Sequence, residues 1–163
     1  MDNEVKGDPR VIAALNEALK NELTAFHQYV KHAHLLEDWG FAKRSKEEYE
    51  EAQEERGHGD RLAKRILLLG GEPQYEAVGQ LYVGKSLREV IECDLRLELE
   101  GIAHYRRAVQ IALEAGDHVT HDLLKSILAE EEEHQDHYKT ELDLISRIGI
   151  ENYGLGQMGH EED

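Results

Sequence analysis

Apolar residues recur along most of the chain at alternating steps of three and four positions, which is the period of an amphipathic α-helix. The first such stripe comprises Ile12, Leu15, Leu19, Glu22, Phe26, Tyr29, Ala33 and Leu36. Asp8 followed by Pro9 predicts where this helix begins, since aspartate caps helix N-termini and proline fits the first helical position. Gly40 predicts its end. The apolar face of this helix therefore carries a carboxylate, Glu22.

The same pattern predicts three further long helices. The second covers about residues 43–69, the third opens with a capping box from Ser86 to Glu89 and ends at Gly116, and the fourth is capped by Asp117 or Thr120. Their inward faces also include polar residues, namely Glu55, His58, Glu98, Glu131 and His134.

Residues 70–85 form a connection longer than antiparallel neighbouring helices usually need, which favours a crossover between helices that run in the same direction. After Gly149, residues 150–157 predict a short fifth helix, and residues 158–163 a polar tail. We expect a single all-α domain over residues 1–163, with a four-helix bundle at about residues 8–147.

Composition limits the possible partners. The chain has 35 acidic and 19 basic residues and a net charge of −16, so its field repels nucleic acid and anionic membranes and attracts cations. No apolar run reaches the ~20 residues that span a bilayer. The N-terminal residues lack the pattern of a signal peptide, and the single cysteine, Cys93, cannot form an internal disulfide. These features predict a cytoplasmic protein.

The polar residues on the inward faces form a repeat. Glu22 and Glu55 are 33 positions apart, as are Glu98 and Glu131, and a histidine follows three residues after the second glutamate of each pair. Each half of the chain is thus a helical hairpin that supplies one lone glutamate and one Glu-x-x-His motif. Because residues i and i+3 share a helix face, the two side chains of each motif can reach one ion.

Burying four carboxylates without partners would be very costly, and two divalent cations would offset their charge. Carboxylate and imidazole ligands suit iron, manganese or zinc better than calcium, and no cysteine is placed for a thiolate site. A single Glu-x-x-His pair is more often a solvated surface feature. Two such pairs with two further glutamates at equal offsets favour a site for two metal ions. The arrangement resembles the ligand pattern of ferritin-like carboxylate proteins, and this resemblance implies that the metal is iron. The six predicted ligands, which are also the predicted catalytic residues, are Glu22, Glu55, His58, Glu98, Glu131 and His134.

The chain resembles the bacterioferritin family over nearly its whole length, and four segments carry this resemblance. They are residues 15–25 (LNEALKNELTA), 65–73 (RILLLGGEP), 141–145 (ELDLI) and 148–153 (IGIENY). The resemblance implies a ferritin-like bundle and a homo-oligomeric cage of 24 subunits that stores oxidised iron. It implies that the six ligands form a ferroxidase centre, where dioxygen or peroxide oxidises Fe(II), with Glu55 and Glu131 bridging the ions. The electron donor for iron release stays unknown.

Three further residues receive possible roles by the same resemblance or by position. Tyr29, two turns after Glu22, would donate a hydrogen bond to a ligating carboxylate, although an ordinary core tyrosine is an equal alternative. Glu50 and Glu54 precede the second-helix ligands and could form an inner iron site, against the stronger expectation of a solvated acidic face.

One position departs from the family. Bacterioferritins bind haem between paired subunits through a methionine directly after the second-helix glutamate, and this chain has Arg56 there. A guanidinium has no lone pair for iron. We therefore expect no haem in a homo-oligomer, while a mixed cage with a second, haem-binding subunit stays open.

Two other functions remain as alternatives. One is a rubrerythrin-like di-iron peroxidase, although the cysteine-rich electron-relay domain usual in that family is not found in this sequence. The other is a non-catalytic cage subunit whose carboxylates bind zinc or no metal.

Overall fold

The computed structural model describes residues 6–159, and within this range it contains helices but no strand. The helices are α1 (Pro9–Asp38), α2 (Ala42–Leu68), α3 (Leu87–Glu114), α4 (His118–Ile148) and α5 (Ile150–Gln157). α1 packs most extensively against α2, and α3 against α4, while α1 also contacts α3. The all-α bundle with a short fifth helix is confirmed. The predicted polar tail lies mostly outside the described residues.

The helix ends follow the local sequence, with two refinements. The Ser86 hydroxyl accepts a hydrogen bond from the Glu89 backbone N–H (3.2 Å), but the Glu89 carboxylate accepts from the backbone N–H of Lys85 (2.7 Å) and not from that of Ser86. At α4 the cap is Asp117, whose carboxylate accepts from the Thr120 backbone N–H at 3.0 Å. The sequence had left that choice open.

The crossover from α2 to α3 lies along α1 and is held by polar side chains of that helix. These side chains form hydrogen bonds with backbone groups of the crossover. Asn16 bonds to Glu72 and Gln74, and Thr24 bonds to Gly79. Further along, Gln28 bonds to Tyr82, and His32 bonds to Gly84. A Cβ atom at Gly84 would lie 2.4 Å from the backbone nitrogen of Val90, so only glycine fits this close approach to α3. The crossover is therefore fixed to both helices that flank it.

The apolar core falls into clusters on either side of a polar middle. One large cluster includes Leu15, Leu19, Leu62, Ile66, Leu124 and Ile127, and another, next to α5, includes Leu36, Val90, Ile91, Tyr138, Ile145 and Tyr153. Among the residues of the apolar stripe predicted for the first helix, Ile12 and Phe26 are partly exposed. The polar middle of the bundle, between these clusters, contains the candidate site.

None of the described helices is long and apolar enough to cross a membrane.

Candidate metal centre

Each of the four long helices contributes one buried glutamate to the middle of the bundle. They are Glu22 from α1, Glu55 from α2, Glu98 from α3 and Glu131 from α4, each at most 4% exposed. His58 is also buried, and the His134 side chain is 11% exposed. The helices thus bring together all six residues that the sequence predicted.

The six side chains divide into two overlapping groups, each close enough to surround one ion. The first consists of Glu22, Glu55, His58 and Glu131, and the second of Glu55, Glu98, Glu131 and His134, with ligand atoms within 4.8 Å of one another in each. Glu55 and Glu131 belong to both groups. This is the position that a carboxylate needs in order to bridge two ions.

Both imidazole rings direct Nδ1 at the carboxylates. His58 Nδ1 lies 2.9 Å from Glu131 Oε1 and 3.6 Å from oxygens of Glu22 and Glu55. His134 Nδ1 lies 2.9 Å from Glu55 Oε1, with Glu131 and Glu98 oxygens at 3.5 and 3.6 Å. One nitrogen and three carboxylate groups thus converge at each position.

Several of these converging atoms lack a hydrogen-bond partner. Glu22 Oε2, Glu55 Oε1 and His134 Nδ1 are buried and form no hydrogen bond. Leaving such atoms unpaired costs about 1–3 kcal/mol each, whereas cations between them would satisfy all three. The donor set, oxygen with imidazole nitrogen and no thiolate, fits two divalent transition-metal ions.

Burial raises the pKa of three of the four glutamates. Loss of water and then repulsion by Glu22 and Glu98 raise the pKa of Glu55 to about 8, and loss of water with neighbouring carboxylates raises that of Glu131 to about 7. The pKa of Glu98 is also well above its usual range, mainly through burial. On Glu22 burial acts in the same direction, but the interactions with neighbouring Glu55 and His58 outweigh it and lower the pKa to about 2. The metal-free group therefore holds protons, which bound cations would displace.

Two tyrosines donate hydrogen bonds to the lone glutamates. The Tyr29 hydroxyl donates to Glu98 Oε1, which agrees with the expected contact to a ligand. The Tyr105 hydroxyl donates to Glu22 Oε1 at 2.5 Å, and no role at the site was predicted for this residue from the sequence. The signal was present, because Tyr29 follows Glu22 by seven positions and Tyr105 follows Glu98 by the same distance.

Two outer carboxylates contact the far side of the histidine rings. Glu130 Oε2 lies 2.9 Å from His58 Nε2, and Glu54 Oε2 lies 2.6 Å from His134 Nε2. Such contacts orient a ligating imidazole and hold its proton on the nitrogen away from the metal. Glu54, considered above for an inner iron site, thus lies against a predicted ligand, while Glu50 is exposed. Sequence reasoning missed Glu130.

A third group, His32, Glu48 and Asp94, is fully buried beside the centre and also escaped sequence reasoning. His32 Nδ1 lies 2.8 Å from Asp94 Oδ1, and its Nε2 accepts the Gly84 backbone N–H at 3.0 Å. That backbone donor leaves the ring proton on Nδ1, where it donates to Asp94. A metal bound at Nδ1 would require the proton on Nε2, opposite the Gly84 N–H. The group is therefore a hydrogen-bonded network, which Arg44 completes by donating to Glu48 at 3.1 Å.

Comparison with known proteins agrees with this architecture. The family model of the ferritin-like domain matches residues 12–148. A bacterioferritin of Brucella melitensis is 43% identical over 150 residues, 92% of this chain and 93% of that protein. A bacterioferritin of Rhodobacter capsulatus is 42% identical over 93% of this chain and 94% of its own length, and one of Mycobacterium leprae is 40% identical over 91% and 94%.

Fold and site together define a ferritin-like four-helix protein with a duplicated carboxylate and histidine centre. With these relatives, the chain belongs to the bacterioferritin family of ferritin-like proteins.

Proposed function

We propose that the protein stores and detoxifies iron, and that its carboxylate and histidine centre is a ferroxidase site. The observation that carries this proposal is the convergence of Glu22, Glu55, His58, Glu98, Glu131 and His134 into two overlapping ligand groups. Membership of the bacterioferritin family supports it independently.

The substrate is Fe(II), and two ions give up one electron each. With two protons, these electrons reduce dioxygen to hydrogen peroxide, or hydrogen peroxide to two molecules of water. Four carboxylates favour the product Fe(III), because hard anionic oxygens stabilise the higher charge, and the two imidazoles moderate that preference. Protons held by Glu55, Glu98 and Glu131 leave as the ions enter. Tyr29 and Tyr105 keep Glu98 and Glu22 in position through their hydrogen bonds.

We further propose that the chains assemble into a homo-oligomeric cage of 24 subunits in the cytoplasm, with the oxidised iron deposited inside. Large apolar side chains that are exposed on the single chain, among them Leu67, Leu68 and Leu155, support subunit contacts that would remove them from water. The acidic surface, with a net charge of −16, favours the entry of cations.

Haem does not fit this chain at the family position. Arg56 is exposed on α2, directly after Glu55, and its guanidinium offers no lone pair to an iron atom. The homo-oligomer is therefore proposed to lack the usual haem. A mixed cage with a haem-binding subunit would still be compatible with this chain.

Aerobic Fe(II) oxidation, followed by the absorbance of Fe(III), tests the ferroxidase proposal. The double variant Glu98→Ala with Glu131→Ala should slow the reaction by more than about tenfold. Removal of a residue that only supports a metal ligand typically lowers activity by about 10–100-fold, and removal of two ligands should lower it further. The matched control, Glu100→Ala with Glu132→Ala, removes two exposed carboxylates from the same helices and should oxidise iron at the wild-type rate. An unchanged rate in the first variant would favour a structural cage subunit.

Iron retention separates storage from peroxidase activity. A storage protein given Fe(II) in large excess retains far more than two irons per chain after gel filtration. A rubrerythrin-like peroxidase would instead consume peroxide with an added reductant and retain no more than its centre holds.

A further inference from the structure

The two histidines of the centre are supported by carboxylates from opposite hairpins. His58 contacts Glu130, and His134 contacts Glu54. Each supporting glutamate directly precedes the glutamate of a Glu-x-x-His motif, and both pairs are 76 positions apart, as are Glu22 and Glu98. To this point the two halves of the site are equivalent.

Arg61 breaks the equivalence. Its Nη1 lies 3.0 Å from Glu130 Oε2, the same oxygen that contacts His58, and its Nη2 donates to Ser126 Oγ at 3.0 Å. The residue 76 positions further on is His137. Its Nε2 lies 3.3 Å from Arg44 Nη1 and 3.6 Å from Glu51 Oε1, so the second half has no arginine at this position to hold Glu54.

The histidine and its supporting glutamate are also more exposed to solvent in the half that lacks the arginine. The His134 side chain is 11% exposed against 6% for His58, and the Glu54 side chain is 60% exposed against 47% for Glu130. A carboxylate held by both an arginine and its histidine, as Glu130 is, orients that histidine more firmly than one whose only polar contact among the described residues is the histidine itself, as Glu54 is. The positive charge of Arg61 also repels a cation, but the Arg61 side chain is 39% exposed and its charge is screened by solvent, so the orienting effect is the larger.

We propose that the two metal positions differ in affinity, with the position ligated by His58 filling before the position ligated by His134, because Arg61 fixes Glu130 against His58. This inference rests on the metal centre proposed above and adds an order of filling to it. Arg61 is a positioning residue, since it acts on the metal through Glu130 and His58.

Cobalt(II) tests the order without any oxidation reaction. Metal-free, assembled protein is crystallised with one equivalent of Co²⁺ per chain, and the occupancy of each position is measured by anomalous diffraction at the cobalt edge. Wild type should show the stronger peak beside His58 Nδ1. Equal peaks, or a stronger peak beside His134, would overturn the proposal while leaving the metal centre intact. An absence of cobalt at both positions would instead refute the centre itself.

Variants then assign the cause. Arg61→Gln should lower the affinity of the His58 position by about tenfold, the lower end for loss of a supporting partner, and bring the two occupancies together. Lys64→Gln removes an exposed positive charge one turn along the same helix and should keep the wild-type ratio. Glu54→Gln should deplete the His134 position further. If Arg61→Gln keeps the wild-type ratio while its helix content and assembly size are normal, Arg61 has no positioning role.

Discussion

At the scale of single residues, each half of the centre is held in place by the other half. Tyr29 of the first hairpin donates to Glu98 of the second, and Tyr105 of the second donates to Glu22 of the first. The histidine supports are exchanged in the same way. Four of the six predicted ligands, Glu22, Glu98, His58 and His134, are therefore oriented by residues distant in sequence, and their positions depend on correct packing of both hairpins.

This exchange predicts equal roles for the two tyrosines. Tyr105→Phe removes the donor to Glu22 and should weaken Co²⁺ binding by about 10–100-fold, as loss of other ligand supports does. Tyr29→Phe should have a similar effect through Glu98. The affinity is measured by titrating metal-free protein and following the visible absorption of Co²⁺.

The control for these variants is Tyr82→Phe, which removes a hydroxyl that donates to exposed Glu100 and should leave Co²⁺ affinity unchanged. If both core variants bind Co²⁺ as tightly as Tyr82→Phe, the tyrosines only fill space in the core.

At the scale of elements, a buried network joins α1, α2, α3 and the crossover. Arg44 is fully buried and donates to Glu48, while His32 contacts Asp94 and the crossover at Gly84. These residues have no counterparts in the other half, since the position 76 residues after Glu48 is an apolar residue, Leu124. The network therefore belongs to the crossover and not to the duplicated site.

The network predicts a pH dependence of stability. Burial, followed by repulsion from Asp94, raises the pKa of Glu48 to about 8 from an ordinary 4.5, although His32 and Arg44 lower it. Between these values the folded chain holds a proton that the unfolded chain releases, so the contribution of Glu48 to the free energy of unfolding falls as pH rises. Glu48→Gln, which does not titrate, should reduce the fall in urea midpoint of metal-free protein between about pH 5 and pH 8.

Glu47→Gln is the matched control. Glu47 also contacts Arg44, at 3.4 Å, but its side chain is 37% exposed. The urea midpoint of Glu47→Gln should therefore change with pH as that of wild type does. If Glu48→Gln loses as much stability as wild type between these pH values, Glu48 is ionised in the folded chain.

At the scale of the whole molecule, the assembly and its haem content depend on contacts between subunits. We expect purified protein to elute at a mass close to twenty-four times the 18.7 kDa of one chain. Reconstituted with haem, it should show no spectrum of an iron ligated by two methionines, because Arg56 replaces the ligand.

Arg56→Met restores the family residue at this position and should give the bis-methionine spectrum in an otherwise unchanged assembly. The spectrum in wild-type homo-oligomer would contradict the role given to Arg56. Its absence in Arg56→Met would mean that other residues of the interface also exclude haem.

The sequence by itself predicted the helices, and the six residues that it predicted as ligands lie together in the middle of the bundle. Helix period, caps and glycine stops depend on near neighbours in the chain, and the 33-residue spacing made the duplicated ligand set visible. The same repeat also relates the residues that support the predicted ligands. Tyr105 and Glu130 repeat Tyr29 and Glu54 at the offset of 76 positions that relates the ligands.

Only the tertiary structure decided which residues meet across the bundle. His32, Glu48 and Asp94 lie on three helices and follow no repeat, and the contact of Arg61 with Glu130 joins α2 to α4. Sequence periodicity gives the face of a helix on which a residue lies, but not the height at which two helices pack. That height is set by how the apolar clusters and the crossover fit together. It places Arg61 against one supporting carboxylate, whereas His137, at the equivalent position in the other half, lies against Arg44.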